Sequence, residues 1–498
     1  MLKCLNNSEL IAPAGSFEKL VCAIEYGADA VYAGAADFSL RARINKFDDK
    51  KIIKAIEYVH QKNKKIYITA NVFAHNNHIE LFEKHLKIYK KNMPDAFIVS
   101  DIGMIQMIRN LYPNAKIHLS TQANTTNWQS AKYWFDNGLR RIVLARELNI
   151  NEIKEIHKKV PKLELEYFVH GAMCMAYSGR CLLSSWQTGR NSNLGDCAQN
   201  CRWKYQLVEE ERPNEYIPIE QDEHGTYLLN SKDLCLIEHL DELRNAGITS
   251  FKIEGRAKSV YYLAQVVKAY RTALDIDTNE NTATNTIINT AKPSKKPNNK
   301  TIASFHAIAW KDAMDENKEK NISVRKLKNE LKKLQNRTFT TGFLSGECKF
   351  KGQETKFSHI KEEYEFVGEV MGLEYGILNF EFGKLKKESE KNGVHSLECN
   401  KSKSKQTDFS CRLKPEPQLL DRPKDLVKIK VHNAVFAGDR VEFIQPKGDN
   451  IFCKIKNIYD DKTLEKLKSA HGGQDRMVYI EISKKPEISS VMRKKLGS

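Results

Sequence analysis

Four cysteines carry most of the chemistry this chain can offer. Between Glu166 and Tyr205 it places Cys174, Cys181, Cys197 and Cys201, four of its eleven cysteines, in the pattern C-x6-C-x15-C-x3-C. Two ligands seven residues apart and two four apart can meet at one centre if the 15 residues between them fold back. Gly179, Gly189 and Gly195 give the backbone that freedom. Four thiolates suit a tetrahedral zinc or an iron–sulfur cluster. Structural zinc favours C-x2-C pairs, and neither pair here has that spacing. The wider spacing favours a four-iron cubane, with zinc and reactive or merely buried thiols as the other readings. Cys235 sits in an apolar stretch that reads as helical, which makes it a core residue, and Cys4, Cys22, Cys348, Cys399, Cys411 and Cys453 are scattered.

Something must deliver this loop to a site. The run Leu163 to Val169 alternates apolar and polar residues and leads straight into it, as a strand would. The whole stretch up to residue 276 repeats that theme. Short apolar strands (Glu9–Ala12, Asp29–Tyr32, Lys65–Phe73, Asp95–Val99, Lys116–Ser120, Arg141–Ala145, Leu163–Val169, Ser250–Ile253) alternate with helical segments, of which Lys232–Ala246 and Val260–Ile276 are the last. Eight such units predict a TIM-like (β/α)8 barrel, an α/β fold, with a doubly wound open sheet as runner-up. In a barrel the functional groups sit at the C-terminal ends of the strands. Those ends read Gly34, Asn71, Asp101, Gln122, Arg146-Glu147, His170-Gly171 and Lys252 to Arg256. Asp101 and Asn149 are equally explained as helix caps.

The remainder divides by composition. Residues 1–276 form the barrel, with the cysteine-rich loop at 171–205, and 277–302 is a low-complexity Asn/Thr/Lys/Pro linker. Residues 303–383 join the domains and include an amphipathic helix over Lys318–Gln335, and 384–410 is a Lys/Ser/Glu-rich insertion. Residues 411–498 hold short alternating strands with Gly turns, which predict a small C-terminal β-barrel domain. Mean hydropathy is −0.55, no apolar run approaches the roughly 18 residues of a membrane span, and the start of the chain lacks the apolar core of a secretory signal. A cytoplasmic protein without a membrane role is expected, and in a reducing compartment clustered cysteines bind metal or catalyse. The net charge of +17 favours polyanionic partners such as nucleic acid, or reflects a Lys- and Asn-rich proteome.

Several segments resemble the peptidase U32 family. They are ELIAPAG (9–15), YGADAVYAG (26–34), FVHGAMCMAYSGRCLLS (168–184), CAQNCRW (197–203), DEHGTYLLNSKDL (222–234) and KIEGR (252–256). The last three are similar to the longer, tRNA-hydroxylating branch. The likeness runs from Glu9 to about Leu274 and resumes at Arg337–Phe343, Phe366–Glu369 and the terminal domain. Although the family is named for a collagenase-like peptidase, the resemblance implies oxygen insertion: 5-hydroxyuridine at the tRNA wobble position, or hydroxylation of ribosomal RNA or of a small aromatic ring. It implies a 4Fe-4S cluster on cysteines of this region. One branch lacks the second cysteine of the C-x3-C pair; here Cys197 and Cys201 are both present. The implied partners are tRNA, the dicarboxylate prephenate as co-substrate, and iron–sulfur assembly machinery.

No H-E-x-x-H helix or G-x-S-x-G elbow supports a peptidase. A Cys–His pair from Cys174 and His170 is the one such engine available. For hydroxylation, the planar forks of Arg146 and Arg256 suit a dicarboxylate, unless Arg146 merely bridges to Glu147 or Glu254. Asn71, Gln122 and Asn124 are candidates to read base edges. His170, Glu254 and Lys258 are the candidate proton-transfer groups, and His224 and Asp233 either border the pocket or fold its loop.

Overall fold

The computed structural model describes residues 8–34, 38–39, 47–174, 177, 180–202, 221–222, 225–226, 232–290, 322–346, 360, 362–375, 425–473 and 475–496. The chain divides into two compact units, Met1–Tyr364 and Glu365–Ser498.

In the first unit the apolar runs form strands β1 (Glu9–Ala14), β2 (Ala30–Gly34), β3 (Lys65–Ala70), β4 (Ala96–Val99), β5 (Ile117–Leu119), β6 (Arg141–Val143) and β7 (Glu164–Ala172). After β8 (Asp233–Cys235) comes β9 (Ile248–Ile253), the eighth barrel strand. Each of the eight pairs in parallel with the next, and β9 closes the ring by pairing with both β7 and β1. The result is a closed (β/α)8-type barrel. Polar residues start the surrounding helices: Ser16, Asp48, Asp101, Asn127 and Asn149 each accept a backbone N–H of the first turn. Asp101 and Asn149 are therefore caps. Strand alternation turns Leu10, Val31, Ile66, Ile68 and Phe251 outward onto the helices, and all are fully buried. The inward face holds an apolar patch of Ile11, Ala30, Tyr32, Tyr67, Ala96 and Ile98.

The rest of the lumen is charged. Arg141 pairs with Glu9 and lies 3.3 Å from Glu166, and the Lys252 Nζ lies 2.5 Å from the other Glu166 oxygen. The Ser250 hydroxyl lies 3.2 Å from both Glu9 and Glu166. Tyr67 donates to Glu9 at 2.8 Å, and Lys65 reaches it from the barrel's N-terminal face at 3.0 Å. Burial raises the Glu9 carboxyl, but Arg141 and Lys65 outweigh it and hold it at about 2. A carboxyl depressed in the folded state stabilises above its unfolded value near 4.5 and loses that contribution as pH falls towards 2. The melting temperature is therefore expected to drop steeply between about pH 5 and pH 2, and Glu9→Gln to flatten that limb by removing on the order of 3 kcal/mol of pH-dependent stability. Calorimetry across that range checks it; an unchanged acid limb in the variant would refute it.

Two elements differ from the sequence reading. Asp233–Cys235 is not helical but a strand, β8, antiparallel to the extended end of β7 with Cys235 opposite His170. The unpaired edge of β7 overrides the helical pattern; helix follows only at Leu240–Asn245. Helix Val260–Thr290 continues beyond residue 276, because no Gly or Pro occurs until Pro293 to stop it. Residues 322–332 are helical within the expected Lys318–Gln335 segment. Strand β10 (Phe339–Thr340) then adds to β8.

The second unit is a curled antiparallel sheet. It contains β11 (Tyr364–Tyr375), β12 (Asp425–Val431), β13 (Arg440–Ile444), β14 (Ile451–Lys454), β15 (Asn457–Asp460), β16 (Lys466–Leu467), β17 (Met477–Glu481) and β18 (Val491–Lys495). Their order is β14–β13–β18–β11–β12–β17–β15–β16. Val367, Ile429, Phe443, Ile458, Val478 and Met492 form its core. The expected linker at 277–302 is helical up to Thr290, and its remainder, like the insertion expected at 384–410, lies outside the described residues.

Candidate active site at the barrel mouth

The C-terminal ends of the strands and the loop after β7 enclose a cavity of about 270 Å³. Its wall contains all four cysteines of the C-x6-C-x15-C-x3-C pattern, together with Asn71, Gln122, Arg146, Glu254 and Arg256. The sequence-predicted groups it brings together are thus nine of twelve. None of the four cysteines is in a disulfide; Cys174 is exposed and the other three are half-buried.

The loop owes its shape to local hydrogen bonds. Ser192 donates to the Cys181 carbonyl at 2.6 Å, and the Asn193 side chain accepts from the Cys181 N–H. Arg190 pairs with Asp196 at 3.0 Å and donates to the Cys197 carbonyl. The Gln199 N–H points at the Cys197 sulfur from 3.3 Å. The loop docks onto the barrel where Phe73 N–H meets the Asn193 carbonyl and Arg180 meets the Gln122 carbonyl. Among the described residues no three His, Cys, Asp or Glu side chains are grouped as ligands of one metal ion would be; the thiols instead surround a shared space.

Gly171 shows why the loop can leave β7 here. Its φ is +110°, and a Cβ would come within 2.5 Å of the Glu254 carbonyl oxygen, so no other residue fits without displacing β9. Glu254 in turn accepts from the Ala172 N–H at 3.4 Å.

The rest of the wall is largely cationic and aromatic. The Arg146 guanidinium lies 3.7 Å from the centre of the Phe168 ring. Arg146 is only 8% exposed, and among the described residues it has no ion pair with Glu147 or Glu254. Arg256 reaches Ser39 at 3.1 Å and Thr69 at 3.3 Å. Lys252 stands over Tyr32, 4.4 Å from the ring centre. Asn71 donates to Ser120 at 3.0 Å and to Gln122 at 3.1 Å, and Ser120 also bonds Gln122. The site therefore offers cations, two aromatic faces, an amide pair and four sulfurs in one enclosure.

Three predicted residues lie elsewhere. Simple alternation would put His170 beside Phe168, facing the cavity. The β7–β9 register slips between Lys252↔Phe168 and Ile253↔His170, and this one-residue irregularity moves His170 to the outer face. There it is 2% exposed, packed among Tyr262, Tyr270 and Phe339, and bonded to the Tyr270 hydroxyl at 3.3 Å. Burial lowers it to about 4 despite the nearby Asp233, so it is neutral at pH 7. Lys258 is also outside the cavity wall, 5.0 Å from the Tyr262 ring. Asn124 adopts a left-handed φ of 51° behind Gln122, with its amide buried and unbonded in the structure, and does not line the cavity. Asp233 folds its loop by pairing with Arg337; His224 lies outside the described residues. Reasoning from sequence placed Lys252 at a strand end without giving it a role, and missed Glu166 as its partner. The signal was present: acidic and basic residues at alternate positions inside otherwise apolar strands.

Comparison with known proteins identifies the assembly. The profile of Peptidase family U32 matches residues 15–307, and that of the Peptidase family U32 C-terminal domain matches 419–493. The chain is 32% identical over 486 residues to tRNA hydroxylation protein P1 of Bacillus subtilis, covering 98% of this chain and 94% of that one. It is 36% identical over 267 residues to the 23S rRNA 5-hydroxycytidine C2501 synthase of Escherichia coli, covering 54% and 39%. It is 33% identical over 282 residues to a collagenase of Porphyromonas gingivalis, covering 54% and 66%. A profile over most of the barrel, a second over the curled sheet and an alignment along nearly the full length agree: this chain belongs to peptidase family U32.

Proposed function

We propose that this chain is an RNA-modifying enzyme that hydroxylates the wobble uridine of tRNA at C5, with prephenate as co-substrate and a 4Fe-4S cluster held by Cys174, Cys181, Cys197 and Cys201. The observation that carries the reading is the meeting of four thiols outside any disulfide and three cations in one cavity at the barrel mouth. Thiolates are the ligands that iron–sulfur clusters take, and a cluster accepts them around its periphery, which suits sulfurs that surround a space. Bound there, the cluster would supply redox or Lewis-acid chemistry.

The chain's own groups do the rest. Arg146, which has no ion pair among the described residues and stacks on Phe168, would bind one carboxylate of a dicarboxylate and Arg256 the other. Phe168 and Tyr32 offer faces for a base taken out of its stack. Asn71 and Gln122 carry the donors and acceptors that a uracil edge needs. Glu254, in the cavity wall, is the carboxylate available to take a proton from the bound base. No helix among the described residues is long and apolar enough to cross a membrane, and a basic chain suits an RNA substrate. The peptidase reading has no comparable support. Its one Cys–His pair would need His170, whose ring is committed to Tyr270 outside the barrel.

The test is nucleoside mass spectrometry of tRNA from a deletion strain grown without oxygen, so that no oxygen-dependent route masks the loss. 5-Hydroxyuridine-type nucleosides are expected to vanish, to return with the wild-type gene and to stay absent with Arg146→Met. Unchanged nucleosides in the deletion strain, or gelatin cleavage by the purified protein that Cys174→Ala abolishes, would reject the proposal.

A further inference from the structure

The second unit carries a surface that the barrel cavity does not explain. Strands β14, β13 and β18 lie side by side, with Arg440 opposite Lys454, Glu442 opposite Phe452, and Glu442 opposite Arg493. Val441 and Phe443 enter the core, so Arg440 and Glu442 share the other face. Glu442 and Arg493 neutralise each other at 2.8 Å and are both buried. Beyond them Arg440 and Lys454 lie opposite one another as two exposed cations, next to Phe452, which is 68% exposed.

This arrangement is costly for the sheet alone. Like charges directly opposite one another on neighbouring strands repel, and among the described residues neither Arg440 nor Lys454 has an ion pair. An almost bare phenyl ring gains nothing from water. One class of ligand removes both costs: a flexible polyanion whose units carry flat π-faces. We propose that this face binds a single-stranded stretch of RNA, the cation pair carrying its phosphates and Phe452 stacking on a base. The inference rests on the RNA reading above only for the choice of polyanion, and it adds a contact that the cavity does not make.

The test uses the full chain, a fluorescein-labelled RNA stem–loop, and a duplex of the same stem. Phe452→Ala is expected to weaken stem–loop binding by about 5- to 150-fold and to leave duplex binding unchanged. Arg440→Gln with Lys454→Gln is expected to lower the slope of log affinity against log salt by about 1.4, for two phosphate contacts on a single strand. Neither variant should lower the melting temperature, since one trims an exposed ring and the other relieves repulsion. Stem–loop binding like wild type in both variants would overturn the proposal. So would equal weakening by Phe452→Ala towards RNA and towards anionic phosphatidylglycerol vesicles, which would make the face a membrane surface. Loss of the nucleoside on gene deletion, with wild-type RNA binding by both variants, overturns this surface alone. Altered binding, with unchanged nucleosides in the deletion strain, overturns the wobble-uridine reading alone.

Discussion

Cys197→Ser protein, purified without oxygen, is expected to hold almost no iron or acid-labile sulfide and to restore no hydroxylated uridine to a deletion strain. The same holds for Cys174, Cys181 and Cys201, because each would serve one corner of the cluster and none has a spare thiol among the described residues of the cavity wall. Serine differs from cysteine by one atom but is a hard, weakly acidic ligand, and soft iron–sulfur sites select thiolate. Cys197 is the sharpest test. The Gln199 N–H already points at its sulfur from 3.3 Å, so the sulfur's position is set by the loop backbone. The fold should survive, because Ser192, Asn193 and Arg190 hold the loop together, and Arg180 and the Asn193 carbonyl dock it on the barrel, without the sulfurs. Two controls give the result its meaning. Cys453→Ser, in the core margin of the second unit, should keep full iron. Cys235→Ser should also keep it, since that thiol is buried in β8, is pushed up by burial and accepts from Tyr270 at 3.8 Å. Iron retained by Cys197→Ser would sink the cluster assignment. A colourless wild type carrying zinc would replace it with the tetrahedral alternative.

Much of this site was legible because its parts are local. Four cysteines within 28 residues of one loop converge wherever that loop goes, and Asn71, Gln122, Arg146 and Arg256 reach the cavity because each ends a barrel strand. What was hidden depends on pairing between distant strands. His170 sits at a strand end like the others, yet one register slip against β9 turns it away, and no local pattern announces a slip. Asp233–Cys235 reads as helix until the edge of β7 claims it. The lumen charges Glu9, Arg141, Glu166 and Lys252 come from four strands spread over most of the barrel. Each looks like an isolated exception in an apolar run, and only closure of the ring reveals that they neutralise one another.

Lys252→Met is expected to destabilise the barrel by about 3 kcal/mol, at the lower end of what removing one partner of a buried ion pair costs, and to abolish hydroxylation. Glu166 is 0% exposed, so the variant leaves a carboxylate with no water to turn to. It stays at the low end because Arg141, at 3.3 Å, and Ser250, at 3.2 Å, remain beside the other oxygen. Burial pulls the Lys252 ammonium below its ordinary value while Glu166 opposes that shift, so the carboxylate supports the cation at the cavity. Two roles, support of the fold and electrostatics of the site, are therefore superimposed on one side chain, and a second substitution separates them. Glu166→Gln with Lys252→Met removes both charges and keeps an amide to bond Arg141 and Ser250. Most of the lost stability should return, as it does when both members of a buried pair are neutralised together. Hydroxylation should not return, because the cavity floor still lacks its cation beneath Tyr32. Chemical denaturation of the two single variants and the double variant gives the coupling energy, and tRNA nucleoside analysis gives the activity. A double variant that recovers both stability and modification would show that Lys252 only fills and balances the lumen. One that recovers stability alone assigns the ammonium to the chemistry at the mouth, held up from below by a carboxylate in the middle of the barrel.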